Sequence, residues 1–395
     1  MISIIAIILF ILAVLGSLIS QTPSLIEAQA MQWLKYLWIF PIGFQLLFDN
    51  KALTSVWVRQ AFICLLLFIS YCITLEMFTD NTYLAVDVLN ICMSMMIALA
   101  SYSFWRLFGS QKVIAVFCGI IVIAGFFLAY SVYNNYLADS SILAHGYAFK
   151  NKNSMGQILL CCGFIALVNY KPQNVAVKIA YYLAICFMFL VMILMKARAT
   201  MVCGFFMIMY YVYKLKNRKL QMLIILLLLL GVGLILINQD LYELIVTGIL
   251  LANNDVNDIN DVSSDRVVFV SEAIELLKDN FIIGVGNYYI DCMPVAMLLQ
   301  FGILGATFVF ILIYIFYYHV TRLDCNNDKL SRTAFVLLLA FLINSLFEAQ
   351  PPFGPGAKCF LLWVTIGFAF AESEKLTEDS TALTETESPQ LNAYE

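Results

Sequence analysis

Two basic residues separated by a single alanine, Lys196 and Arg198, stand between two long apolar runs. A guanidinium held among helices at a membrane edge is costly without an anionic partner. Its planar fork of donors matches a diphosphate or a carboxylate. The same position also suits a cation that ends two helices and reaches back to water. Lys150-Asn151-Lys152-Asn153 places two ammonium groups and two amides just ahead of a helix start, with Gly156 one turn in, an arrangement that can seat an anion. An ordinary polar loop has the same composition. His145 stands in that loop. Arg266 opens an amphipathic segment, with Asp265 beside it as a solvated partner. Asp291 and Glu348 each stand at the end of an apolar run. Carboxylates there can accept a proton from a hydroxyl, and arginines can stabilise a departing phosphate.

Other chemistries find little support. The two histidines, His145 and His319, are expected on opposite sides of a membrane, so they share no metal site. Asp255, Asp258, Asp261 and Asp265 are acidic and closely spaced but lack the central glycine of an EF-hand, which favours a solvated acidic loop. No phosphate-binding loop, dinucleotide fingerprint or GxSxG elbow is present. Any reaction therefore draws its energy from the substrate or an ion gradient, and no metal or cofactor is called for. The eleven cysteines lie mostly inside apolar runs and read as small buried apolar groups rather than a disulfide framework.

The elements that must position these residues follow from composition. The chain has 395 residues, 63% hydrophobic and 12% charged, with a mean hydropathy of +0.89. A soluble domain is about half apolar and a quarter charged, so a soluble protein of this size is excluded. A net charge of −4 and a pI near 5.3 speak against nucleic acid as a partner. The reading is an all-α polytopic integral membrane protein. Apolar runs fall at 2–20, 31–48, 58–76, 83–105, 113–133, 153–170, 176–195, 198–213, 220–238, 294–318, 332–347 and 357–371, which predicts about twelve spans. With a cytoplasmic N-terminus, the inside loops carry thirteen cations against seven outside, and both termini are cytoplasmic. Residues 1–371 then form the membrane domain, with one long extracytoplasmic loop at 239–293. Val267, Val270, Ile274 and Leu277 trace one apolar helix face in it, turning Glu272, Glu275 and Asp279 away. The acidic, Ser/Thr-rich segment 372–395 reads as a disordered cytoplasmic tail.

Taken in order, these pieces resemble the bacterial O-antigen polymerase and O-antigen ligase superfamily. The resemblance runs from Phe149-Lys150-Asn151-Lys152-Asn153-Ser154-Met155-Gly156 to Lys196-Ala197-Arg198-Ala199-Thr200, which is similar to the family's Ser-Arg-Ser-type turn with Ala197 replacing a serine. It continues through Arg266, Ala273, Gly284-Val285-Gly286, Asp291 and Gln300-Phe301-Gly302-Ile303-Leu304-Gly305 to Asn344-Ser345-Leu346-Phe347-Glu348. It covers roughly residues 145–350. Ligases carry a histidine where this chain has Asp291, which favours a polymerase of O-antigen or capsular repeat units over a ligase that passes glycan to a lipid or protein.

The resemblance implies a GT-C-like, metal-independent glycosyltransferase of the inner membrane that uses a polyprenyl-diphosphate-linked oligosaccharide at the outer face. A flippase and a chain-length regulator are implied as partners, alongside the lipid bilayer. Arg198 and Arg266 would hold the leaving diphosphate and Asp291 would accept the hydroxyl proton. Lys150, Lys152, Asn153, Lys196, Glu348 and His145 would bind diphosphate or glycan. The competing class is a polysaccharide or lipid-linked-sugar transporter, which would show internal repeats and midplane charges. Only Asp87 and Lys35 stand out as charges within the spans.

Overall fold

The computed structural model describes residues 2–27, 31–78, 84–137, 152–214, 217–250, 266–286, 288–354 and 359–387. Every long element is a helix. In chain order they are α1 (Ile2–Ile19), α2 (Ile39–Phe48), α3 (Val56–Leu75), α4 (Leu84–Phe108), α5 (Gln111–Val132), α6 (Lys152–Asn169), α7 (Val175–Leu194), α8 (Arg198–Tyr213), α9 (Arg218–Ile237), α10 (Arg266–Asn280), α11 (Met293–Thr321), α12 (Lys329–Asn344) and α13 (Phe360–Glu387).

Among the described residues six helices are long and apolar enough to cross a membrane: α3, α4, α5 with its short continuation, α7, α9 and α11. This is an all-α fold whose several long apolar helices are consistent with a polytopic membrane protein. The expected count of about twelve spans is corrected to six candidates. The remaining apolar runs are helical, but they are short or interrupted. At 1.5 Å per residue the sixteen residues of α8 and of α12 reach about 24 Å, against about 30 Å of hydrocarbon. Lys152, Asn153, Ser154 and Gln157 crowd the first turns of α6. The run 31–48 breaks into a 3₁₀ turn at Gln32–Tyr36 and the ten-residue α2. Pro41 explains the break, because it tolerates only the first turn of a helix.

Two of the helices outside the six candidates form the inside of the bundle. Residues 154–166 of α6 and 360–371 of α13 are buried throughout, and α13 packs most extensively on α4. Gly367 permits that approach: a Cβ there would lie 2.4 Å from the Ala98 carbonyl oxygen. Fully buried rings fill the centre, including Trp38, Tyr102, Phe104, Phe301, Phe316 and Trp363. By contrast α9, the most hydropathic of the six candidate spans, buries none of its residues.

Beyond Ala371 the chain does not turn irregular where its composition becomes acidic. Helix α13 continues to Glu387. Its first polar turn is tied to the bundle by the Glu372 carboxylate, which accepts from Trp105 Nε1 at 2.7 Å, and by Glu374, which accepts from Ser55 and Tyr102. The Lys375 ammonium donates to the Trp105 and Gly109 carbonyls at the end of α4. The Arg106–Asp49 ion pair lies at the same end.

Candidate functional site

At the opposite end, three close approaches of backbone assemble a charged cluster. The first joins α6 to the turn between α7 and α8. Lys196 adopts φ 55°, a left-handed conformation that a non-glycine residue rarely takes, and reverses the chain within three residues. Ala197 is buried against the start of α6, where a Cβ on Gly156 would sit 3.0 Å from the Ala197 Cβ and 3.2 Å from the Thr200 hydroxyl. The Thr200 hydroxyl donates to the Asn153 carbonyl at 3.3 Å. The small residues at 156 and 197 thus bring Lys152 and Asn153 beside Lys196 and Arg198.

The second approach is a break in α11. Gly302 has φ 63° and ψ −176°, a region open essentially to glycine alone. Segment 281–286 docks into the break: the Val285 and Gly286 N–H groups donate to the Leu299 carbonyl at 2.6 and 3.0 Å, and Ile303 N–H donates to Phe281 O at 2.9 Å. Tyr71 of α3 donates its hydroxyl to Phe301 O at 2.7 Å. A Cβ on Gly302 would meet Ile282 O at 2.1 Å, and one on Gly284 would meet Gly302 N at 2.6 Å. These glycines therefore fix how the end of α10 meets the break in α11.

The third is α10 itself. It packs on the first half of α11 through Val270, Ala273 and Leu277, against Ile290, Ala296 and Leu299. Of the expected apolar face, Val270 and Leu277 turn inward while Val267 and Ile274 are each 51% exposed. Ala273 is the reason for the rotated face, since the smallest side chain gives the closest approach. Glu272, Glu275 and Asp279 are exposed as expected.

The result gathers residues far apart in sequence. Arg266 pairs with Asp291 at 3.7 Å. Asp291 also accepts from the Tyr289 hydroxyl at 2.9 Å. Asn153 donates its amide to Glu348. Burial pushes the Lys152 ammonium down to about 7, helped by Arg198, Arg266 and Lys196 and opposed by Glu348, so these groups share one field. Burial lowers Lys196 too. Although the Tyr289 side chain is 60% exposed, desolvation at its hydroxyl end and the Asp291 and Glu348 carboxylates push the phenol up, and it stays a neutral donor.

Of the nine residues singled out in the sequence, Asp291, Arg198, Arg266, Lys152, Asn153, Lys196 and Glu348 come together here, while Lys150 and His145 lie outside the described residues, as does Asp265. No group of three or more His, Cys, Asp or Glu side chains could hold a metal among the described residues.

Sequence reasoning missed Tyr289 and a cavity of about 160 Å³ beside it, mainly apolar but with several polar side chains in its wall. That cavity is lined by Asp87, Gln157, Gln300, Gln350, Glu348 and Tyr289. Gln157 and Gln300 were visible as amides inside apolar runs, where a polar side chain is expensive. No protein-family model matches the chain, and no curated protein is similar to it in sequence. What the arrangement can do is therefore read from its chemistry: an anion seat of several cations, flanked by two carboxylates, at one end of an apolar bundle.

Proposed function

We propose that the protein polymerises lipid-linked oligosaccharide repeat units at the outer face of the inner membrane, as a polymerase-like member of the O-antigen polymerase and ligase superfamily. The observation that supports this reading most is the convergence of Lys152, Lys196, Arg198 and Arg266 from three separate segments onto one locale with Asp291 and Glu348. An apolar bundle that concentrates cations at one edge suits a substrate with a diphosphate head and a prenyl tail.

In the proposed step the growing chain is carried on a polyprenyl diphosphate. A hydroxyl oxygen of the incoming repeat unit attacks the anomeric carbon, forming the new glycosidic bond. The bond from that carbon to the diphosphate oxygen breaks, and its electron pair leaves with the lipid diphosphate. The diphosphate needs cations rather than a proton, and Arg198 and Arg266 with Lys152 supply them. The hydroxyl proton passes to Asp291, which Tyr289 and Arg266 hold in place. Charge at the sugar has oxocarbenium character, as in other glycosyl transfers. Cytoplasmic termini and an outward-facing cluster belong to this proposal.

The test is the length ladder of surface polysaccharide in a host whose resident polymerase has been deleted. Wild type is expected to restore the ladder. Arg198→Lys keeps the charge but loses the two parallel donors, so chain growth should fall by about 10²–10³ at normal membrane levels. A normal ladder from Arg198→Lys would make that residue a helix-ending cation and sink the reading.

A further inference from the structure

The cavity beside the charged cluster has a composition foreign to the bundle around it. Asp87 on the first turn of α4, Gln157 on α6 and Gln300 just before the break in α11 are all buried, yet they face a common space. The lining descends from Tyr289, 60% exposed, to Asp87 and Gln300, 3% and 2% exposed, so the cavity is entered from the charged end. Asp87 is held by the Gln350 amide, which donates to Oδ1, and Gln350 in turn accepts from Asn90 at 3.4 Å. Its other oxygen, Oδ2, is buried with no hydrogen-bond partner among the described residues. A buried carboxylate oxygen left so is expensive unless something that enters the cavity donates to it.

The occupant's chemistry follows from the walls. Two acidic side chains, Asp87 and Glu348, disfavour a phosphate, and the one sulfur in the wall, Cys359, does not complete with them a group that could hold a metal among the described residues. Amides and carboxylates that accept and donate around the Phe341 ring suit a hydroxyl-rich ring with an apolar C–H face. At roughly 10–15 Å³ for each water-sized position, the cavity of about 160 Å³ holds about a dozen heavy atoms, the size of one hexose.

We infer that this cavity is a subsite for a single terminal sugar, the one that carries the attacking hydroxyl of the acceptor, with Asp87 receiving a hydrogen bond from one of its hydroxyls. The role as acceptor subsite rests on the polymerase reading; the binding of a sugar does not. A blind cavity suits a ring attached to the chain at one end only. Glu348 forms part of its wall and also lies in the field of Lys152, so the bound ring stands next to the diphosphate seat.

The experiment titrates the purified full-length protein in nanodiscs with methyl glycosides of common neutral hexoses and N-acetylhexosamines, and in parallel with inorganic diphosphate. Trp363 donates to the Pro352 carbonyl at 3.0 Å, one residue from Pro351 of the wall, so occupancy is read as a change in tryptophan fluorescence that Trp363→Phe should diminish. At least one glycoside should bind saturably. Asp87→Asn should weaken it about tenfold or more, while diphosphate binding stays within about twofold of wild type. Arg198→Lys should do the reverse. Gln157→Leu, close in volume, serves as the second cavity variant where Asp87→Asn folds poorly. The proposal is overturned where no glycoside binds saturably, or where the folded cavity variants bind glycosides as wild type does. Cavity-dependent glycoside binding by a protein that builds no ladder supports the subsite and removes the polymerase.

Discussion

At Lys152, burial and three neighbouring cations oppose the ammonium form and bring it to about 7, so its charge is set by what else occupies the site. Below that pH the side chain is charged, and above it neutral. A bound diphosphate supplies opposite charge and raises the pKa, so binding takes up a proton in the interval above about 7. Affinity should therefore fall as pH rises through neutrality, by up to about tenfold per unit within that interval. The probe should be a diphosphate diester, which does not titrate there. Lys152→Met should flatten the profile, and a wild-type affinity that is constant from about pH 6 to 9 would remove Lys152 from the seat.

Asp291 and Glu348 separate by the same reasoning. Asp291 faces the opening beside Arg266, whereas Glu348 is buried against Asn153. Asp291→Asn keeps shape and cannot take a proton, so chain growth should drop by about 10²–10⁴ at unchanged protein level. A wild-type ladder from this variant would move the proton to Glu348. The charged members of the site were legible in the sequence because a cation at the outer end of an apolar run violates the usual charge bias. Tyr289 was not legible, since its neighbour Tyr288 has the same side chain and only the backbone decides which one meets Asp291.

At the scale of elements the site depends on glycines that carry no chemistry. The sequence showed Gly284, Gly286, Gly302 and Gly305 as a spaced motif, but spacing does not say that two of them touch. That contact arises because segment 281–286 replaces one turn of hydrogen bonds at the break in α11. Gly302→Ala should cost about 1–3 kcal/mol from backbone conformation alone, with the clash against Ile282 O added. The expected readout is a lower thermal midpoint in nanodiscs and loss of the ladder, because Arg266 and Asp291 are carried on the displaced segments. Gly231→Ala, in exposed α9 where nothing lies within 4 Å, should leave both unchanged. Equal behaviour of the two variants would show that the docked break does not position the site. Helix boundaries were mostly readable from apolar runs, whereas the inward face of α10 was not. Its period allowed several faces, and Ala273 rather than the larger Val267 or Ile274 met the partner helix.

Over the whole molecule, charge is divided between two ends. One end carries the Arg106–Asp49 pair, Lys375 and the Glu372 and Glu374 contacts; the other carries Lys152, Lys196, Arg198 and Arg266. A lipid diphosphate displayed at the outer face can reach only one of them. The proposal places the first end in the cytoplasm, in keeping with the thirteen loop cations against seven that the twelve-run reading of the sequence assigns to that side. Helix α11 connects the two ends, from Met293 near the cluster to Thr321 near the exposed loop at Asn326. Single cysteines at Lys278 and Asn326, in a background free of the eleven native cysteines, therefore bracket one crossing. A membrane-impermeant maleimide applied to intact cells should label Lys278→Cys and spare Asn326→Cys, which reacts only after permeabilisation. Labelling of both from outside would deny α11 a crossing. The reversed pattern would place the cations on the cytoplasmic face, where the same seat would meet a lipid diphosphate before its transfer across the membrane, and chain growth at the outer surface would lose its site.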